Sequence, residues 1–391
     1  MAKRRFQLPG IQDLSKEQER VRALPFEGQH LIIGGPGTGK SVMALLRAKA
    51  LDDDKLDYRF LVFNHLLMQS SKKLFGNELR SQQWQSWFIS VFTGEVGPDL
   101  PRLTAEHGYR NGPFDWPEIV SRCESSERDD EVSGRPLLII DEGQDMPPGF
   151  YQALVTLGFE NMFVVADQNQ QITDGQNSSR EDLEDALGLD TDDTIELRDN
   201  YRNHLAIARL ASAFYTGDPA SPPPELPDPP LYEVKKPILF NYRPEQFHPV
   251  IFRILKMAIN SPRKLIGILC PNNRVREKFH DALVLHNKAT GHPPIVITTF
   301  KSGDKHEMPF EEGGVMVINS QACKGLEFDI VFLADIDQYR CDHNSLDRTK
   351  KLFYVMVARA TEHVILLRQQ GEDKPVDAII PKDDPSVLEI K

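Results

Sequence analysis

Short apolar runs alternate with longer segments of helical spacing through most of this chain. In the first half the apolar runs fall at residues 30–35, 60–64, 136–141, 161–167 and 194–197, and they read as strands. Between them, segments such as 42–51 and 150–157 carry apolar residues at helical intervals. The second half repeats the scheme. It predicts strands at 237–241, 264–270, 294–299, 314–319, 329–334 and 363–367, and helices at 244–259, 275–288 and 346–359. Strands that alternate with helices imply mostly parallel sheets covered by helices on both faces. The pattern breaks once, at 217–230, where Pro222, Pro223, Pro224, Pro229 and Pro230 crowd together. Consecutive prolines exclude a helix or a central strand and favour an extended linker.

With 391 residues the chain is long enough for two domains, each with its own core. The expected organisation is a first domain over 1–217, a linker over 218–230 and a second domain over 231–391. No apolar run reaches transmembrane length, and the start lacks the apolar core of a secretory signal. Cys123, Cys270, Cys323 and Cys341 form no C-x-x-C pair, which suggests reduced thiols, a cytoplasmic setting and no zinc site. The formal net charge of −12 argues against tight, nonspecific nucleic-acid binding by the surface as a whole, although a local basic groove is compatible with it.

Residues 34–41 read GGPGTGKS and match G-x-x-x-x-G-K-[ST]. An apolar run precedes them and a helical one follows, which is the context a phosphate-binding loop requires. The loop Gly35, Pro36, Gly37, Thr38 and Gly39 would surround an anion at a helix N-terminus, with every residue but Pro36 offering a backbone N–H. Lys40 would reach the β- and γ-phosphates of a nucleoside triphosphate, and Ser41 would ligate Mg²⁺. The apolar run 136–140 ends in Asp141 and Glu142, placed to hold Mg²⁺ and to activate water, respectively. Gln170 follows the next strand, where a neutral amide could sense a γ-phosphate. Tyr201 offers a flat stacking surface. Arg202 is either a phosphate-directed guanidinium or half of a surface ion pair. Arg359 ends an apolar helix, where it either complements the helix C-terminus or acts as an arginine finger.

In this order the segments resemble the motifs of superfamily 1 helicases of the UvrD/Rep/PcrA type, over nearly the whole chain. Residues 14–18 (LSKEQ) look like the Q motif, 34–41 like motif I, and 141–145 (DEGQD) like motif II. Residues 166–170 (ADQNQ) look like motif III, 200–202 (NYR) like motif IV, 324–329 (KGLEFD) like motif V, and 354–360 like motif VI. The resemblance implies an α/β fold of two tandem RecA-like P-loop NTPase domains with mostly parallel sheets and the ATP site in the cleft between them. It implies that Gln18 reads adenine, Tyr201 stacks on the base, Arg202 and Arg359 meet the γ-phosphate, and Glu327 bonds the ribose. Nucleic acid is expected at Phe63, Asn64, Trp84 and Ser320. The implied activity is an ATP- and Mg²⁺-dependent 3′→5′ helicase or translocase on single-stranded or tailed duplex DNA. A nuclease or a repair or defence complex is a candidate protein partner, which the sequence does not identify.

Three departures from the family pattern bear on that expectation. Only 74–134 is long enough for a reduced 1B insertion, and 272–318 leaves no room for 2B. Ile172, Thr173, Asp174 and Gly175 stand where the family usually places base-stacking aromatics; Trp84 or Trp87 could substitute, or both could be core. Gln321 and Cys323 replace the commoner residues of motif V. A second reading is therefore a nucleic-acid-stimulated regulatory ATPase within a larger complex that does not unwind. A third is an unrelated P-loop kinase or GTPase.

Overall fold

A computed structural model describes residues 11–76, 78–103, 112–126, 134–171, 177–217, 222–229, 234–289, 294–301, 307–341 and 346–391. The chain folds as two compact units. One comprises 11–34 and Gly39–Leu197; the other comprises Gly35–Thr38 and Arg198–Lys391.

The first unit holds strands β1 (Gln29–Gly34), β2 (Tyr58–Val62), β3 (Ser81–Gln83), β4 (Leu137–Ile140), β5 (Met162–Ala166) and β6 (Ile195–Leu197). They form one sheet in the order β3-β2-β4-β5-β1-β6, and every pairing is parallel. Parallel neighbours need crossover connections. Helices α1 (Lys16–Arg22), α2 (Lys40–Asp53), α3 (His65–Phe75), α4 (Trp84–Glu95), α5 (Trp116–Ser125), α6 (Pro148–Thr156) and α7 (Arg180–Leu187) belong to this unit. The strands read as continuous apolar runs because both faces are covered. Leu31, Ile33, Leu138, Ile140 and Val164 enter one core with α4 to α7, while Ile32, Ile139, Phe163 and Val165 enter another with α1 and α2.

The second unit holds α8 (Leu205–Ser212), β7 (Ile238–Tyr242), α9 (Phe247–Asn260), β8 (Leu265–Cys270), α10 (Asn273–Ala289), β9 (Ile297–Phe300), β10 (Gly314–Asn319), β11 (Phe328–Leu333), α11 (Leu346–Val357), β12 (Ala360–Gln369) and β13 (Glu389–Ile390). Its sheet has the order β13-β7-β12-β11-β8-β10-β9, again with parallel pairings throughout. The protein is thus α/β with two parallel sheets, an architecture consistent with tandem RecA-like domains. Helix α8 packs on α11 and β12, and Phe214 meets Phe353 at a ring separation of 5.3 Å.

The apolar runs located most strands to within a few residues. They did not announce β3 or β13, whose sequences are SQQ and EI. Of the proline-rich stretch, 218–221 and 230 lie outside the described residues, as do Ile172, Thr173, Asp174 and Gly175. Among the described residues no helix is long and apolar enough to cross a membrane, and all four cysteines are buried.

Candidate functional site

Strands β4, β5 and β1 are neighbours in the first sheet, so their carboxyl ends deliver Asp141, Asp167 and the start of α2 to one edge. That edge is where open parallel sheets place their ligands. Gly39 caps the 14-residue helix α2 with φ +89° and supplies no side-chain cap. A side chain at Gly39 would be strained by that φ, and its Cβ would lie 2.5 Å from Gln18 Nε2. Gln18 is fixed from its other end: its Oε1 accepts from the Ser15 amide at 3.1 Å, and its own amide donates to Ser15 Oγ at 3.2 Å. This capping box holds the Gln18 amide beside Gly39.

Lys40 is 7 % exposed, and its Nζ lies 3.4 Å from Asp167 Oδ2. Gln170 Nε2 donates to the same oxygen at 2.6 Å, so Asp167 gathers an ammonium and an amide. Ser41 Oγ donates to Asp141 Oδ1 at 3.1 Å. Asp141 Oδ2 is buried without a hydrogen-bond partner. Burial first, and the Glu142 carboxylate second, push the Asp141 carboxyl up to about 7, against the opposing pull of Ser41, Lys40 and the Glu142 amide. A hydroxyl beside a carboxylate oxygen that lacks any donor is a donor set suited to a hard divalent cation such as Mg²⁺.

Glu142 adopts φ +56° and ψ +43°, the left-handed region, which is uncommon for a residue with a side chain. Its Oε2 accepts from Gln144 Nε2 at 2.7 Å, while Gln144 Oε1 accepts from the Asp167 amide at 2.8 Å. Gln144 therefore ties the tip of β4 to the tip of β5 and orients the Glu142 carboxylate. Asp167 and Gln144 were not singled out by the sequence reading. Their signal was present in the second carboxyl-bearing strand end and in the Gln two residues after Glu142.

The second unit gathers another group. Tyr201 is 55 % exposed; its amide donates to Gly37 O at 2.9 Å and its hydroxyl to Asp199 Oδ2 at 2.7 Å. Gly37 has φ +83°, and a Cβ there would lie 2.3 Å from Asn200 Oδ1. Asn200 Oδ1 accepts from the Arg202 and Asn203 amides at 3.1 and 3.0 Å, which closes a tight turn. Asn203 Nδ2 donates to Ala358 O at 3.2 Å and Ala360 O at 2.6 Å, so the turn is bolted to the residues flanking Arg359. Arg202 Nε meets Glu327 Oε2 at 3.0 Å. Both side chains are partly exposed, so this ion pair contributes little stability. Arg359 is 2 % exposed and its Nε donates to Val355 O, one turn back in α11. Within Gly35–Thr38, Thr38 Oγ1 donates to Gly35 O at 2.8 Å, and Gly35 and Pro36 are buried.

The expected nucleic-acid residues are less accessible. Trp84 is 1 % exposed, packed against Phe150 at 5.0 Å and Trp116 at 6.3 Å, and Trp87 is 7 % exposed against Phe159. The expectation of Trp84 as a stacking platform is corrected: its ring fills the core between α4, α5 and α6, and no face is open to a base. Phe63 is half-buried against the same core, Asn64 caps α3 by accepting from the Leu67 amide at 2.8 Å, and Ser320 is buried after β10.

Residues 314–367, from β10 into β12, match the family model of the UvrD-like helicase C-terminal domain. That span contains Ser320, Glu327 and Arg359. No curated protein matches the sequence. Among solved structures, the chain is similar to one described as the C-terminal domain of a possible DNA helicase from Lactobacillus plantarum WCFS1, at 20 % identity and a TM-score of 0.33, covering 48 % of this chain and 97 % of that one.

Proposed function

We propose that this chain is an ATP-dependent nucleic-acid motor, a DNA helicase or single-strand translocase that moves 3′→5′. The match of residues 314–367 to a helicase domain supports the family. The observation that carries the nucleotide reading is the edge formed by Lys40, Ser41, Asp141, Glu142 and Gln170 around Asp167 and Gln144.

In this reading the glycine loop and the amino end of α2 take the phosphates of ATP. Lys40 leaves Asp167 for the β- and γ-phosphates. Ser41 and Asp141 would hold Mg²⁺, and the ion would supply positive charge against the phosphates. Glu142, oriented by Gln144, accepts a proton from the attacking water. Gln170, tethered to Asp167, is placed to exchange that bond for one to the γ-phosphate. Gln18 contacts adenine, Tyr201 stacks on it, Glu327 contacts the ribose, and Arg202 and Arg359 contact the γ-phosphate. Arg202 and Glu327 would then trade their mutual ion pair for the nucleotide.

A second reading, a nucleic-acid-stimulated regulatory ATPase that does not unwind, is favoured by the burial of Trp84 and Trp87, which removes two candidate stacking platforms. Two assays separate them. ATP hydrolysis is measured with and without single-stranded DNA at low salt, and strand displacement is measured on a 3′-tailed duplex. Stimulated hydrolysis with displacement supports the motor. Stimulated hydrolysis without displacement supports the switch. Absence of ATP hydrolysis under all conditions overturns both.

A further inference from the structure

His248 on α9 and His286 on α10 turn their rings toward each other, with His248 Nδ1 2.9 Å from His286 Nε2 and ring centroids 5.0 Å apart. His248 is exposed and His286 half-buried, beside the exposed side chains of Phe252 and Leu285. The Phe252 ring lies 4.4 Å from that of His286 and limits its rotation. Neither histidine belongs to the residues assembled above.

Two neutral imidazoles at this separation share a single N–H proton. The same separation suits a different occupant. Metal–imidazole bonds are about 2.0–2.1 Å long, so two cis nitrogens at a right angle on one ion stand about 2.9 Å apart, and about 3.3 Å apart at a tetrahedral angle. We propose that His248 and His286 form a bidentate site for a late first-row divalent metal, Cu(II), Ni(II) or Zn(II), which staples α9 to α10. On binding, the ring that donates in the N–H···N bond moves its proton to its other nitrogen, so both lone pairs face the ion and no net proton is released. Among the described residues no group of three or more His, Cys, Asp or Glu is placed to hold a metal, so water completes the coordination. Mg²⁺ and Ca²⁺, which demand oxygen ligands, are excluded from the pair.

The test uses the full chain, stripped with chelator, titrated with Cu(II) at neutral pH by calorimetry and followed by electron paramagnetic resonance. Ni(II) and Zn(II) are titrated in parallel. The expected result is one tight Cu(II) per chain with nitrogen couplings from two imidazoles, and weaker binding of Ni(II) and Zn(II). His248→Ala and His286→Ala should each weaken Cu(II) binding at least roughly ten-fold. Metal should raise the melting temperature of the natural chain and not of either variant, which separates loss of the site from loss of fold. Binding equal in the variants and the natural chain, or no Cu(II) uptake, overturns the proposal.

Discussion

Pro224 lies directly over Gly35: a Cβ built on Gly35 would stand 2.2 Å from Pro224 Cγ and 2.3 Å from its Cδ. Gly35 has an ordinary negative φ, so a glycine is required there by space and not by backbone angle. The extended segment that carries Pro224 is held by the Glu225 amide, which donates to Arg198 O at 2.8 Å. Gly35→Ala should therefore overpack this contact and destabilise the protein by about 1–3 kcal/mol. Pro224→Ala removes the clashing ring atoms, so the double variant should recover most of that loss. A double-mutant cycle by chemical denaturation checks the coupling; additive losses would show that the contact does not form.

Lys40, Glu142 and Gln144 should separate binding from turnover. Lys40→Ala is expected to abolish ATP hydrolysis. Glu142→Gln should keep nucleotide binding and lower turnover by about 10²–10⁴-fold. Gln144→Ala leaves the base in place and removes its 2.7 Å orienting bond, so its loss should be smaller. Fluorescent-nucleotide binding alongside steady-state hydrolysis distinguishes the three. Normal turnover in Glu142→Gln would remove Glu142 as the base.

The second unit contains a buried ion pair whose effect on stability is testable through pH. Arg368 donates to both oxygens of Asp377, at 2.8 and 2.7 Å. Burial alone would raise the Asp377 carboxyl. Bonds from Arg368, the Lys374 amide and Lys382 outweigh it and hold the carboxyl well below the usual range. A depressed carboxylate stabilises the fold fully above its unfolded pKa of about 3.9 and loses that contribution as pH falls below it. Asp377→Asn should cost about 3 kcal/mol at pH 7, because Arg368 loses its two-point carboxylate and keeps the carbonyls of Glu372 and Gln369 and the more distant, exposed Asp373 carboxylate at 3.7 Å. The difference from the natural chain should hold from pH 5 to 8 and shrink below about pH 4, as measured by urea denaturation.

The cysteines should be silent in the native state. All four are buried, and burial outweighs the opposing pull of Arg359 and Lys324 and pushes the Cys323 thiol up to about 11. Cys270 is also raised, chiefly by burial. Only the thiolate reacts with a disulfide reagent. Titration at pH 8 should therefore label none of the four before denaturant is added and all four after it. Rapid labelling of Cys323 in the native protein would show that its pocket opens.

Trp84 separates packing from recognition. Trp84→Ala should cost about 3–5 kcal/mol through the cavity left among Phe114, Trp116 and Phe150. Trp84→Phe keeps most of that packing, so its affinity for single-stranded DNA should match the natural chain in a fluorescence anisotropy titration. A large drop in affinity in the folded Phe variant would restore Trp84 as a base-stacking residue.

The alternation of apolar runs and helical segments, and the carboxylates at the ends of those runs, were determined by the sequence alone. A parallel strand buried on both faces must be apolar throughout, so 137–140 stands out, and Asp141 and Glu142 mark where the apolar run ends. The spacing GGPGTGKS likewise carries its own geometry, because only glycine accepts φ near +83° and +89° at Gly37 and Gly39 without strain. Strand order was not legible. It alone makes β4, β5 and β1 neighbours and sets Lys40 beside Asp167, 127 residues away. Nor was the inward turn of Trp84, since an aromatic at a helix start reads the same whether it faces base or core. The seat of Pro224 on Gly35 and the approach of His248 to His286 belong to the same class. Each depends on contacts between residues distant in sequence, which local periodicity does not encode and which only the packed sheets and helices decide.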